Sequence, residues 1–356
     1  MTKKKQKKSK LGALILLLFL TIVMLSTATY AWFTANKSVQ VSNIDVNVQA
    51  TGGIQISTDA VNWKTLISNA DITTGWSASV SGNTVTDRNQ LPTALSPVST
   101  AGLVDASTDA TAKTVKGNLS MYHGVVAANQ LGNFALTAEK DLEEKGTTGN
   151  FIAFDLFIKT DASAALYIEP GTGASVTEGS ADKGLQNATR IAFVVEGTSD
   201  PNAATPTVLT MDNATAANVT IFEPHVDSHT ASGVTQSNLY YKKYTNYNAI
   251  AAGSSQPTVS YDGVKAPITS AIELAQTNAT DNASYFQTVT SVPFTSAFAN
   301  ADTGQTNYAW YTTAAPFPAG ITKVRVYMWV EGQDVDCEND ASGANLTYKL
   351  ALTQNA

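Results

Sequence analysis

The chain has 356 residues, of which 43% are hydrophobic and only 14% are charged, against about 25% charged in a typical soluble protein. The apolar content excludes an intrinsically disordered chain, and the length allows one large domain with insertions or two domains. The formal net charge of −7 argues against a nucleic-acid-binding protein, because such binding depends on clustered lysine and arginine.

Residues 1–31 predict a secretory signal peptide. Six lysines within residues 3–10 precede an apolar run over residues 11–25, and small residues follow. A basic start, an apolar middle and a small-residue end are the three parts of such a signal. Two cleavage sites fit the pattern, after Ala31 or after Ala28.

The same segment also allows a retained membrane anchor. Residues 11–33 form a largely apolar stretch of 23 residues, and about 20 are enough to cross a bilayer. Polar residues interrupt its last third, which favours cleavage. The leader holds six of the 22 lysines and arginines and none of the 29 acids, so the mature chain has a net charge of −13. We expect a secreted protein at the cell surface or in an extracellular matrix, with membrane contact only through the leader before cleavage.

Behind the leader, residues 39–50 alternate apolar and polar side chains, which predicts a half-buried strand. Its apolar positions, with a slip at residues 42–43 that indicates a bulge, are Val39, Val41, Ile44, Val46 and Val48. An extended, one-sided segment near a free terminus suits a donor strand that joins one subunit to the next. Residues 34–49 are this candidate. The same pattern suits the first strand of the chain's own domain, so both interpretations stay open.

Later segments predict mostly strands. Apolar or alternating runs predict strands at residues 54–57, 151–159, 165–168, 190–196, 321–330 and 346–352. In the strand at 321–330, one face would carry Val324, Val326, Met328 and Val330, and the other Arg325, Tyr327 and Trp329. Two short helices are predicted, at 137–145 and at 267–275. Residues 68–120 and 197–262 are rich in small polar residues and predict insertions. The fold class is therefore all-β with a few short helices, an antiparallel sandwich with insertions.

The sequence gives little support for an enzyme. It contains three histidines and no HExxH, GxSxG or phosphate-loop pattern. His225 and His229 have a spacing that could hold zinc on a helix, but Pro224 precedes them and no glutamate lies between them. We therefore expect no catalytic residues.

An acidic segment is the best candidate for a metal site. Its carboxylates are Glu331, Asp334, Asp336, Glu338 and Asp340. In an extended segment the alternating acids from Asp334 onward would project to one side, where a hard cation such as calcium binds oxygen ligands. A solvated acidic turn is the alternative. The single cysteine, Cys337, is expected to be a small buried hydrophobe rather than a link to another chain.

Several segments, in order along the chain, resemble exported surface proteins of Gram-positive bacteria that are distantly similar to the TasA/camelysin family of matrix-fibre proteins. These segments are residues 28–34, with Ala-Thr-Tyr-Ala-Trp-Phe at the leader junction, and residues 56–63, 95–100, 151–159, 188–193 and 326–337. The resemblance implies a jelly-roll-like sandwich, cleavage after Ala31, and a homopolymer formed by donor-strand complementation. Camelysin is named as a metalloprotease, but the ligands for such a site are missing from this sequence.

Two functions follow as expectations. The first is a secreted structural subunit of an extracellular fibre, a pilus-like filament or a biofilm matrix. The alternative is a membrane-anchored monomeric adhesin, whose insertions at 68–120 and 197–262 bind matrix or host-surface ligands.

Overall fold

The computed structural model describes residues 45–76, 80–128, 134–169, 172–177, 180, 185–224, 259–293, 308–334, 337 and 343–354. The strands in these residues are β1 (Asp45–Thr51), β2 (Gln55–Ser57), β3 (Leu66–Ile67), β4 (Val98–Ser99), β5 (Tyr122–Ala128), β6 (Phe134–Lys140), β7 (Ile152–Thr160), β8 (Leu166–Ile168), β9 (Gly173–Val176), β10 (Thr189–Ser199), β11 (Val219–Glu223), β12 (Val259–Val264), β13 (Ile268–Glu273), β14 (Phe286–Pro293), β15 (Tyr308–Tyr311), β16 (Gly320–Val330) and β17 (Leu346–Thr353). The helices are α1 (Asn69–Thr74), α2 (Thr205–Leu209) and short 3₁₀ turns at Leu185–Ala188, Ala216–Asn218 and Leu274–Gln276.

Within the described part of the chain the strands form three sheets. A six-stranded sheet has the order β15-β8-β17-β1-β3, with β9 also paired to β17. A seven-stranded sheet has the order β12-β14-β11-β10-β16-β7-β2, and a four-stranded sheet has the order β13-β6-β5-β4. Most neighbours are antiparallel, but β1 with β17 and β11 with β14 are parallel. The sequence analysis did not predict these two parallel pairs.

The main hydrophobic core lies between the six-stranded and seven-stranded sheets. It contains Val324, Val326, Met328 and Val330 from β16, as predicted, and Leu346, Tyr348, Leu350 and Leu352 from the opposing β17. All of these side chains are fully buried. Because side chains alternate along a strand, each sheet contributes one apolar face. The prediction of an all-β, sandwich-like fold is confirmed.

The second face of the seven-stranded sheet is also covered. Tyr327 and Trp329 of β16 pack there with residues of the 68–120 stretch, namely Val98, Leu119 and others. Further along the sheet, Phe157 and Ile321 pack against Trp76, Leu209 and Met211. Both stretches predicted as insertions therefore contribute to a third layer. The 197–262 stretch also contains β11, which lies inside the seven-stranded sheet.

The helix predicted at residues 137–145 is wrong. Its first half belongs to β6, which pairs with β5 along its whole length. Leu136 and Ala138 are buried while Glu139 is exposed, which is a period of two. Pairing with the neighbouring strand therefore overrides the local helical preference of the Glu and Lys residues.

The helix predicted at residues 267–275 is also wrong, since most of it forms β13, paired with β6. Ile268 is buried in a small core and Ile272 packs against that core. The spacing of Ser270 and Glu273 suggested a capping box, but both side chains are exposed on a sheet edge. A motif of two polar residues was too weak to outweigh this apolar contact.

Candidate functional site

The N-terminal strand β1 lies inside the six-stranded sheet, between β17 and β3. It runs parallel to β17 from the pair Asp45 and Thr347 to the pair Thr51 and Thr353. On its other side it pairs antiparallel with the short strand β3. The described chain therefore completes this sheet with its own first strand.

Three apolar side chains of β1 face the main core. Val46 and Val48 are fully buried and Ala50 is nearly so, whereas Gln49 is exposed. Burying one valine side chain is worth about 1.5–3 kcal/mol, so these residues hold β1 in the sheet. They also fix its register, because a slip of one residue would turn the valines away from the core.

Side-chain hydrogen bonds hold both ends of β1. Asn69, the first residue of α1, accepts a hydrogen bond from Val46 N through Oδ1 at 2.6 Å. At the other end, Thr51 Oγ1 donates to Glu169 Oε1 at 2.8 Å. The two glycines at 52–53 follow, with φ of 71° and 91°, a backbone conformation that favours glycine. They turn the chain from the six-stranded sheet into β2 of the seven-stranded sheet.

Val46 and Val48 are thus the two predicted assembly residues that the structure describes. The other three, Val39, Val41 and Ile44, lie outside the described residues, as do the leader and its cleavage positions Ala31 and Ala28. The pairing of β1 within its own chain is what a domain's first strand requires. It also defines the groove that a donated strand would fill.

Glu331, the first carboxylate of the acidic segment, is fully buried at the end of β16. Its Oε2 accepts from Trp329 Nε1 and its Oε1 accepts from Gln333 N, each at 3.0 Å. Burial raises the pKa of Glu331 to about 7, because loss of hydration disfavours the charged form.

Asp334 is buried and paired with an arginine. Its Oδ2 accepts from Arg190 Nη2 at 2.6 Å, and the same Nη2 lies 2.9 Å from Glu223 Oε1. All three side chains are enclosed by protein. The guanidinium of Arg190 therefore supplies the positive charge that the sequence analysis assigns to calcium.

The backbone around Asp334 turns. Asp334 N donates to Glu331 O and Cys337 N donates to Asp334 O, each at 3.1 Å. The segment therefore begins with a turn at Asp334 rather than with extended backbone. Asp336, Glu338 and Asp340 lie outside the described residues. Among the residues that are described, no cluster of three or more His, Cys, Asp or Glu side chains is placed to hold a metal ion. Calcium binding by this segment stays a prediction.

A set of buried ion pairs on the second face of the seven-stranded sheet was not predicted from the sequence. We call it the charged face and define it by Arg190, Lys323 and Arg325. These three side chains lie on the neighbouring strands β10 and β16 and are at most 5% exposed. A signal was present in the sequence, because charged residues within apolar strands are buried only with a partner.

Arg325 lies at the centre of the charged face. Its Nη1 donates to Asp155 Oδ1 at 2.8 Å, and its Nε donates to Glu143 Oε2 at 2.7 Å. The hydroxyl of Tyr327 donates to Glu143 Oε1 at 2.5 Å. Burial raises the pKa of Asp155, but the charges of Lys323 and Arg325 outweigh this and hold that pKa below its ordinary value. Asp155 is therefore ionised inside the protein.

The remaining residues considered in the sequence are Cys337 and the three histidines. Cys337 is buried in the main core, as predicted. His123 Nδ1 lies 2.5 Å from Asp141 Oδ1, a contact that raises the pKa of this histidine. It ties β5 to the chain that follows β6. His225 and His229 are outside the described part of the chain.

Within the ranges that the structure describes, which begin at residue 45, no helix is long and apolar enough to span a membrane. Comparison of the chain with protein families, with curated proteins and with solved structures finds no match.

Proposed function

We propose that this protein is a secreted structural subunit of an extracellular fibre, pilus-like filament or biofilm matrix, and that its subunits join by exchange of the N-terminal strand. The main support is the position of β1. It is the first described strand, it is buried on one face, it pairs on both sides, and the glycines at 52–53 connect it to the rest of the chain. A neighbouring copy offers the same groove to the same strand, so exchange needs no new type of contact.

The leader and the charge of the chain agree with this role. Cleavage after Ala31 would leave residues 32–44 ahead of β1, which extends the segment available for exchange. The mature net charge of −13 would keep separate subunits apart until a specific contact forms. Exchange of one strand from each subunit to the next is a head-to-tail contact, which produces an open chain of subunits when the rotation between neighbours does not close a ring.

The free-energy change of strand exchange depends on the contacts that β1 loses and regains. β1 must first leave β17 and its hydrogen bonds to Asn69 and Glu169, and it regains equivalent contacts in the next subunit. The free energies of the closed and exchanged states are therefore similar, while the barrier between them is high. Assembly would then depend on conditions during export, before β1 has docked in its own sheet.

The alternative proposal is a membrane-anchored monomeric adhesin. In that case the leader is retained, β1 stays in its own sheet, and the stretches 68–120 and 197–262 bind the matrix or host ligand. N-terminal sequencing of the exported protein separates the two proposals at the first step. We expect a sequence that starts at Trp32, and a start at Met1 would favour the adhesin.

A cysteine-pairing experiment tests strand exchange directly. Asn47 of β1 lies opposite Lys349 of β17 in the parallel register, and both side chains reach solvent. Asn47→Cys and Lys349→Cys are made in separate chains that carry Cys337→Ser, and the two are mixed during assembly. A disulfide needs Cα atoms about 4.4–6.8 Å apart. A covalent link between two molecules therefore requires β1 of one beside β17 of the other.

We expect covalent oligomers from the mixture and filaments by negative-stain microscopy. Chains with Asn47→Cys mixed with chains with Lys116→Cys are the control for random oxidation, because Lys116 lies in another part of the fold. The double variant Asn47→Cys/Lys349→Cys reports the closed state through a disulfide within one chain. Closure of the double variant, with no intermolecular disulfide and no filaments in the mixture, would contradict the proposal.

A further inference from the structure

Lys323 lies in an enclosed part of the charged face, between two carboxylates. Its Nζ is 2.6 Å from Glu196 Oε2 and 3.8 Å from Asp155 Oδ2. The same nitrogen donates to the carbonyl oxygens of Leu209, at 3.1 Å, and Met211, at 3.0 Å. The amine and both acids come from three neighbouring strands, with β16 between β10 and β7.

The surroundings of this group exclude water. The ring of Trp76 covers Nζ, with its centroid 5.1 Å away. Phe157, Ile321 and Leu209 belong to the apolar cluster at the same place. Lys323 is 5% exposed, Glu196 2% and Asp155 3%. An amine and two carboxyl groups are thus held together in a low-dielectric site.

A β-bulge directs Glu196 onto the lysine. The register between β10 and β16 shifts between Val195 and Gly197, so that both Glu196 and Gly197 lie opposite Lys323. Gly197 has φ of 154°, and a Cβ there would lie 3.1 Å from Met211 Sδ. A side chain at 197 would therefore press on Met211, whose carbonyl oxygen accepts a hydrogen bond from Lys323 Nζ. Bulges often aim a side chain at a functional position.

The contact between Lys323 and Glu196 is a close, buried ion pair. Oε2 lies 2.6 Å from Nζ, and both side chains are almost fully enclosed by protein. The nitrogen is therefore held directly beside the carboxyl group.

We propose that Lys323 and Glu196 become joined by an intramolecular amide bond between Nζ and Cδ, which links β16 covalently to β10. Nζ attacks Cδ, the bond from Cδ to one carboxyl oxygen breaks, and that oxygen leaves as water. One proton first passes from the ammonium to the Glu196 carboxylate, which frees the nitrogen lone pair for attack. Asp155 accepts a second proton from the attacking nitrogen and passes it to the departing oxygen. Together the ammonium and the carboxylate lose one oxygen and two hydrogens, so no other reactant is needed.

The carboxyl groups of the site suit the reaction. Burial raises the pKa of Glu196 to about 7, so its carboxyl group holds a proton more readily than an ordinary glutamate does. Asp155 is ionised and can accept a proton. Groups fixed in contact can reach effective concentrations of about 10⁵–10⁸ M. Exclusion of water also disfavours hydrolysis of the product.

A second buried lysine, Lys140 of β6, provides a matched control. Lys140 Nζ contacts Asp105 Oδ1, and its side chain is only 8% exposed. Asp105, however, also accepts hydrogen bonds from Ser120 Oγ and Val115 N. These bonds hold both oxygens of the Asp105 carboxyl group in place. We therefore expect Lys140 to stay an ordinary ion-pair partner.

Peptide mass spectrometry of the folded, full-length chain tests the proposal. We expect one peptide containing Lys323 joined to one containing Glu196, with a mass lower by one water molecule, and no tryptic cleavage after Lys323. The intact mass should be lower by the same amount. Lys323→Arg and Glu196→Ala should each restore the full mass, whereas Lys140→Arg should keep the loss. Chain held in denaturant from synthesis onward should have the full mass, because the reaction needs the fold.

Recovery of Lys323 and Glu196 in separate, unmodified peptides from folded wild-type protein would overturn the proposal. A water loss located elsewhere, such as a succinimide at Asp262 or an amide between Lys140 and Asp105, would overturn it as well. The wild-type measurement decides the question by itself, so a variant that fails to fold does not affect the outcome.

Discussion

The two faces of the seven-stranded sheet are both buried, yet they are held by different forces. On the face toward the main core, Val324 and Val326 meet Ile191 and other apolar side chains. Apolar contact is non-directional, so many different apolar side chains could pack against these valines. On the charged face, Arg325 needs particular carboxylates at particular positions. A buried charge left without its partner is costly, whereas a lost methyl group removes only part of one contact.

This difference suggests separate roles for the two faces. The apolar face drives the two sheets together. The charged face selects which segment covers it, because Arg325 pairs with Glu143, which is supplied by the chain after β6. We infer that the ion pairs specify the arrangement of the third layer more than they add to its stability.

Substitution of Arg325, at the centre of the charged face, should cause the largest loss of stability. Arg325→Met keeps an apolar chain of similar length but leaves Glu143 and Asp155 without their guanidinium. We expect a loss of about 3–5 kcal/mol in the free energy of unfolding, measured by urea denaturation. A loss no larger than that of a single methyl group in the core would contradict this account.

The double variant Arg325→Met/Glu143→Gln sharpens the comparison. Glu143 loses its charge together with its partner, and Asp155 keeps Lys323 nearby. The double variant should therefore be less destabilised than the sum of the two single variants. Additive losses would show that the two residues do not act as a pair.

A pH-dependent prediction concerns Glu331, whose pKa is about 7 in the folded protein against an ordinary value of 4.5. A raised folded-state pKa gives stability that is present below the unfolded pKa and lost as the pH rises through the folded pKa. Glu331 should therefore reduce stability by up to about 3 kcal/mol between about pH 5 and pH 8. Glu331→Gln is neutral throughout this range. Relative to wild type, the variant should become more stable as the pH rises.

Urea denaturation of the wild type and of Glu331→Gln, at about pH 5 and at about pH 8, measures this effect. The quantity to compare is the difference in the free energy of unfolding between variant and wild type. Taking this difference removes the contribution of other titrating groups. An unchanged difference across the range would mean that Glu331 is ionised at both pH values or titrates as it does in the unfolded chain.

The smallest effect is expected on the apolar face. Ile191→Val removes one methylene from the main core and leaves every ion pair in place. We expect a loss of about 0.5–1.5 kcal/mol, with no dependence on pH or salt. A strong dependence on either would show that the two faces are not energetically separate.

Part of the candidate site could be predicted from residue patterns in the sequence. The alternation through Val46 and Val48 predicted a strand with one buried face, and the structure confirms burial of both side chains. The pattern contains no information on the partner, so the parallel pairing with β17 was not predicted. For Asp334 the structure shows the positive charge that the acidic segment was predicted to need. Its source, Arg190, lies far away in the sequence and was not identified.

The sequence by itself determined the strand-rich character of this protein and which face of each strong strand is apolar, because both follow from the local period of two. Tertiary structure decided everything that depends on neighbours. It turned residues 134–140 and 268–273 into strands against their local preference, since the hydrogen bonds of a sheet come from a distant partner. It also chose the partners of Arg190, Lys323 and Arg325, because a buried charge is stabilised only by groups that the fold brings to it.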